Sequence, residues 1–209
     1  MLVELQPDLA IAAERVILVD HHGDRAGREQ PTSLEQVFAL LQLPASRWTR
    51  WFDLVAANDR RHVRGMLALN PPATTGELRR VRAADRAAQG ITAVQEQAGT
   101  LAVAAAHVLA KGQLTVIELP HDRVAAAADQ LEPALGGAGY QNLLIYSPQQ
   151  VNFFGSGLVI ARLVAGFPGG WFGGSLPDRG FWGHADARPT IEEVGRWVLD
   201  YASSDSPKN

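Results

Sequence analysis

Asp20, His21 and His22 stand together where the apolar run Val16-Ile17-Leu18-Val19 stops, and Gly23-Asp24 follows them. A carboxylate and two imidazoles cost free energy when buried without partners, so the cluster belongs at a cleft rather than in packing. Imidazole and carboxylate together suit manganese, iron or zinc. Adjacent residues at a strand end point in different directions, so one histidine can hold a metal while the other faces a substrate. The plainer alternative is that both histidines cap the strand and hydrogen-bond neighbouring carbonyls. In open α/β sheets ligands bind just beyond the carboxyl ends of the strands, which is where an Asp-His-His ending places its chemistry.

A second constellation lies in Gly166 to Asp186, with PGGWFGGSLPDRGFWGHAD at its heart. Repeated glycines, Gly173 and Gly174 among them, let backbone N–H groups approach an anion, and Arg179 with His184 can neutralise phosphate charge. On this reading the segment folds over a cleft, and replacing Gly173 and Gly174 by Ala weakens phosphate binding with little effect on thermal stability. The alternative is a glycine-and-aromatic loop covering the end of a sheet, with Trp171 and Trp182 as core plugs. No phosphate-loop or dinucleotide fingerprint is present, and Ser156 in Gly155-Ser156-Gly157 lacks the Gly-x-Ser-x-Gly spacing of a nucleophile elbow.

A third acid could join the strand-end cluster. Asp59, in Asn58-Asp59-Arg60-Arg61-His62, is one candidate, with Asp53 and Asp85 competing; read alone, Asn58 to His62 is a solvated helix junction. His107 and His121 read as structural.

These residues need elements to position them. Val16 to Val19 reads as a short buried strand, and a helix starts near Ser33 as N-cap, with Leu34, Val37, Phe38 and Leu41 on one face and Pro44 at its end. Further helices are expected through Trp48, Trp51, Phe52 and Val55, over Thr74 to Gln89 before Gly90, and over Thr92 to Ala110 before Gly112. Strand and helix then alternate: strands at Leu114 to Leu119, Leu143 to Tyr146 and Val151 to Phe154, helices at Val124 to Leu135, Gly157 to Val164 and Thr190 to Tyr201. Ser203 to Asn209 is expected to fray. The expected fold is α/β, with a strand and helical middle over 1–112 followed by a smaller α/β domain over 113–209 that meets it over a cleft.

Composition narrows the function. At 209 residues the chain can bury a sizeable core, and with no cysteine it offers neither disulfides nor thiolate ligands, so any metal must use His, Asp and Glu. A formal net charge of −3 argues against a nucleic-acid coat protein, and only Lys111 and Lys208 are lysines. No stretch approaches the roughly 20 apolar residues of a membrane span, and Met1-Leu2-Val3-Glu4 lacks a secretory start. The expectation is a cytoplasmic protein of small ligands with no membrane partner.

The sequence VILVDHHGD resembles the signature of the DHH phosphoesterase superfamily, which includes RecJ-type exonucleases, nanoRNases, cyclic-dinucleotide phosphodiesterases and manganese-dependent pyrophosphatases. Those proteins commonly carry a smaller C-terminal α/β domain with a glycine-rich, His-ending motif that holds substrate phosphate, to which Gly180-Phe181-Trp182-Gly183-His184 is a loose match. The resemblance implies that His21 ligates a catalytic manganese, Asp20 orients it, His22 faces the scissile phosphate, and Asp59 is the family's later metal-binding Asp. It further implies two-metal hydrolysis of a nucleotide or short oligonucleotide phosphodiester, and a homodimer is compatible with it.

The family places two acidic metal-binding motifs on strands before the DHH strand, whereas fifteen residues precede Val16 here. Two expectations follow. Either the chain is a truncated DHH-like unit whose start lies upstream, with weak metal binding and slow hydrolysis, or it is a degenerate relative that binds a phosphorylated ligand or a protein partner without catalysis.

Overall fold

β1 (Leu2–Val3) and β2 (Leu18–Val19) pair in parallel, Leu2 opposite Leu18 and Val3 opposite Val19. The computed structural model describes residues 2–3, 16–20 and 30–204, so His21, His22 and the tail from 205 to 209 lie outside the described residues. The expected strand over Val16 to Val19 is shorter and one-sided: Val19 is fully buried, while Ile17 and Leu18 are 52% and 44% exposed. Strand side chains alternate between faces, and the core meets only Val19's face of β2.

The chain divides into Met1–Val81 and Arg82–Asn209. In the first unit, α1 (Ser33–Leu40) starts one residue earlier than expected, because Thr32 and Glu35 form a reciprocal capping box. Glu35 accepts from the Thr32 N–H at 2.6 Å and from Arg60 of α2 (Arg50–Leu67) at 2.6 Å, so one carboxylate ends one helix and ties it to the next. Phe38, Trp48 and Phe52 form an edge-to-face cluster between them, with Phe38 and Trp48 centroids 4.9 Å apart. The long helix α2 is two helical runs across a break at Arg61 and His62, where His62 has φ 55°. The junction expected at Asn58 to His62 is therefore a real bend. Beyond it Gly65 sits so close to Ala57 that a Cβ would fall 2.1 Å from its carbonyl oxygen.

The division falls inside α3 (Thr75–Ala88). Its second half is tied into the C-terminal unit: Arg82 and Asp129, whose side chains are 3% and 4% exposed, are joined by a bidentate pair. Arg86 bridges the same Asp129 at 2.7 Å and Glu96 at 2.6 Å. A seam at 112/113 would instead separate two hydrogen-bonded strands. The expected helix from Thr92 to Ala110 stops early: α4 spans Ala93–Ala104, β3 covers His107–Leu109, and the chain turns through Ala110, Lys111 and Gly112, all at positive φ, to pair antiparallel with β4 (Leu114–Glu118).

The C-terminal unit is a mixed α/β structure built on a six-stranded sheet of order β3-β4-β5-β6-β8-β7. β4 and β5 (Asn142–Tyr146) are parallel, joined through α5 (Ala125–Leu131); all other pairings are antiparallel. α5 ends before Pro133, which starts a separate 3-10 turn, Pro133–Leu135. β6 (Val151–Ser156) leads into α6 (Gly157–Gly166). Gly166 to Asp186, expected as a loop, instead forms the hairpin β7 (Trp171–Ser175) and β8 (Arg179–His184) at the sheet edge. α7 (Ile191–Ser204) closes the chain and carries Ser203 and Ser204, expected to fray, inside the helix.

Helices cover both faces of the sheet. On one, Leu114, Val116, Leu144, Phe153 and Trp182 pack with Val159, Ile160 and Leu163 of α6 and Val194 and Val198 of α7. On the other, Ile117, Leu143 and Ile145 pack with Ala102 of α4 and Ala127 and Leu131 of α5. At about 25 cal/mol per Å² of apolar surface, these two layers dominate the unit's stability. No helix among the described residues is long and apolar enough to cross a membrane.

Candidate functional site

Asp20 follows β2 directly, at the carboxyl end of the parallel pair, which is where the sequence placed its chemistry. Its carbonyl accepts from Gln36 Nε2 at 2.8 Å, and the same amide donates to Pro31 O at 2.7 Å, so α1 fixes where the strand ends. His21 and His22 lie outside the described residues, among which no three of His, Asp and Glu converge on a metal position.

The three competing carboxylates separate clearly. Asp53 accepts from the Trp48 indole N–H at 2.7 Å, inside the aromatic cluster. Asp85 is ion-paired to Arg82 and belongs to the C-terminal unit. Asp59 is exposed on α2, in the same unit as Asp20 and just before the His62 break. His184, expected to share a site with Asp20, belongs to the other unit.

His184 is committed to the backbone. Its Nδ1 accepts from the N–H groups of Asp186 and Ala187 at 2.9 and 2.8 Å, and its Nε2 bonds to Pro168 O at 3.2 Å. It therefore ties both ends of the hairpin together. Gly173 and Gly174 have packing reasons as well: a Cβ on Gly173 would meet the Phe181 ring at 2.9 Å, and Gly174, at φ +102°, would place one 2.6 Å from Gly180 Cα. Trp182 is the core plug of the alternative reading, 1% exposed, whereas Trp171 is 43% exposed. Arg179, half-buried on β8, makes no ion pair among the described residues.

The carboxyl ends of β4 and β5, where a parallel pair commonly receives ligand, close on themselves. Asp122 Oδ1 accepts from Ser147 Oγ at 2.7 Å and from the Gln149 N–H at 2.9 Å, while Arg188 donates to Pro148 O at 2.8 Å. His121 is structural as expected, its Nε2 3.0 Å from Gln95 O. His107, expected on a helix, is exposed on β3.

Sequence reasoning missed Asn152. It is only 5% exposed, yet its Nδ2 has no hydrogen-bond partner, a costly arrangement for a buried donor. The signal was faint: one amide in the strand Val151-Asn152-Phe153-Phe154, on the face opposite Val151 and Phe153.

No family model matches the chain, and no curated protein matches it.

Proposed function

We propose that the chain is a metal-dependent phosphoesterase of the DHH type, acting in the cytoplasm on the phosphodiester of a nucleotide or short oligonucleotide. The observation that carries this is the parallel β1/β2 pair with Asp20 at its carboxyl end, held there by Gln36. A carboxylate and two imidazoles form a donor set that fits manganese. His21 is the proposed ligand, Asp20 its orienting carboxylate, Asp59 a further ligand on the same unit, and His22 the group facing the scissile phosphate. The chemistry supplied by a divalent cation bound there is an acidified water and neutralised phosphoryl charge.

Calorimetric titration of manganese into the wild type and His21→Ala tests the assignment. Weak binding by the wild type and none by the variant is expected; equal binding by both removes His21 from the site. A second reading, binding without catalysis, is favoured by the engagement of Asp53 and Asp85 elsewhere, which leaves few acids for two metals. Manganese binding with no hydrolysis would select it.

A further inference from the structure

The two edges of the six-stranded sheet differ in how they are guarded. An edge strand leaves a row of backbone donors and acceptors open, and proteins blunt it with charge, proline or a local distortion. β7 is interrupted by Gly174 at φ +102°, and Pro177 follows two residues past its end. β3, His107-Val108-Leu109, holds neither glycine, proline nor a formally charged residue, and among the described residues no strand pairs with its outer side. All three of its residues are exposed.

The helix before it continues the same surface. Gly99 and Ala102 press α4 towards α5, so closely that a Cβ on Gly99 would fall 2.4 Å from Ala126 O. Val94 and Leu101, two turns apart on the opposite side of α4, are 79% and 63% exposed, and Ala104 and Ala105 are exposed between them and β3. Val108 follows at 62%. Only Ala105 and Ala106 separate helix from strand, so one uncharged stripe runs from α4 into the sheet edge.

We infer that this stripe is the contact with a second copy of the chain, β3 pairing antiparallel with β3 of that copy across a two-fold axis. Pairing centred on Val108 is self-complementary: Val108 meets Val108, and His107 meets Leu109. The charges favour a copy of this chain over an unrelated strand. Antiparallel pairing brings the far end of one β3, where the turn carries Lys111 at φ 56°, to the near end of the other, where α4 stops. The last turn of α4 has no basic residue of its own, and a cation there complements the negative end of the helix dipole. Lys111, one of only two lysines in the sequence, supplies that charge from the second copy, and the two-fold repeats the contact. The stripe between these ends has no charge to desolvate, as the centre of an interface requires.

Sedimentation equilibrium of the full chain tests this. A dimer with a dissociation constant on the order of micromolar is expected, the scale of a small interface. Val108→Lys, which charges the edge, and Leu101→Lys, which charges the α4 face, should each leave monomer. Both positions are exposed, and circular dichroism checks that the variants fold. Lys111→Glu should weaken the dimer by roughly tenfold, with the gap narrowing at high salt. The chain has no cysteine, so Val108→Cys carries one thiol. Directly opposed residues of an antiparallel pair have Cβ atoms near disulfide reach, so this variant should cross-link on gentle oxidation, whereas Leu158→Cys, exposed on α6, should not. A monomer at about 100 µM, an unchanged dissociation constant in Val108→Lys, Leu101→Lys or Lys111→Glu, or equal cross-linking of the two cysteine variants overturns the inference. None of these readouts involves metal or hydrolysis, so the inference stands or falls apart from the phosphoesterase reading.

Discussion

Phe181 lies across Gly173 on the outer half of the sheet, so close that a Cβ on Gly173 would fall 2.9 Å from the ring. The glycine is there to admit the ring. Gly174, at φ +102° and pressed on Gly180, is constrained by the backbone itself. Gly174→Ala should destabilise the protein by about 1–2 kcal/mol, and Gly173→Ala by less, because the exposed Phe181 ring can shift. For Gly174 this differs from the expectation that the replacement leaves stability nearly unchanged. Denaturant unfolding of each variant checks it; unchanged midpoints would mean that the hairpin does not need these glycines.

Asn152 makes the opposite prediction. Replacing a buried amide whose Nδ2 donor has no acceptor by an apolar group of similar volume removes a desolvation penalty of about 1–3 kcal/mol. Asn152→Leu should therefore raise the melting temperature. A lowered melting temperature would show that the amide is satisfied in the folded protein.

The pair Arg82 and Asp129, with side chains 3% and 4% exposed, is the least replaceable ionic contact described. Removing one partner leaves the other charge buried, which typically costs about 3–5 kcal/mol. Asp129→Asn should lose stability on that scale in urea unfolding, because Arg82 and Arg86 both lose their shared carboxylate. A loss below about 1 kcal/mol would place the pair among surface ion pairs in effect.

Tyr146 gives a pH signature. Burial pushes its hydroxyl up to about 12, and the neutral O–H donates to Pro189 O. A folded pKa above the unfolded value of about 10 stabilises the protein fully below pH 10 and loses that contribution as pH rises through about 12. Tyr146→Phe should be less stable than the wild type at pH 8, with the gap closing between pH 10 and 12 in paired urea titrations. A gap constant across that window would contradict the linkage.

The parts of the fold legible in the sequence were those with one dominant local signal. Leu114 to Ile117 is a buried run of three apolar residues and Thr115 with no competing helical period, and Gly90 marked the end of α3 within two residues. His107 to Leu109 was hidden because Ala-rich sequence before it reads as helix, and only pairing with β4 makes it a strand. The β7–β8 hairpin was hidden for a related reason. Its glycines look like a loop in sequence, and their purpose appears only in the folded hairpin, where rings from the neighbouring strand cross Gly173 and Gly183 and backbone presses on Gly174 and Gly180. The ion pair of Arg82 with Asp129 was not legible, because its partners lie 47 residues apart. At the candidate site, the end of β2 at Asp20 was legible from the apolar run before it. The backbone commitment of His184 was not, since Pro168 and Asp186 become its neighbours only in the folded hairpin.

The central claim is hydrolysis at the Asp20-His21-His22 strand end, and release of mononucleotide from a dinucleotide with and without manganese tests it most directly. Slow, manganese-dependent release is expected from the wild type. Asp20→Asn and His22→Ala should lower the rate by on the order of 100-fold or more, the scale of a lost proton-transfer group or its support. No release with manganese, or equal release by wild type and both variants, would contradict the account.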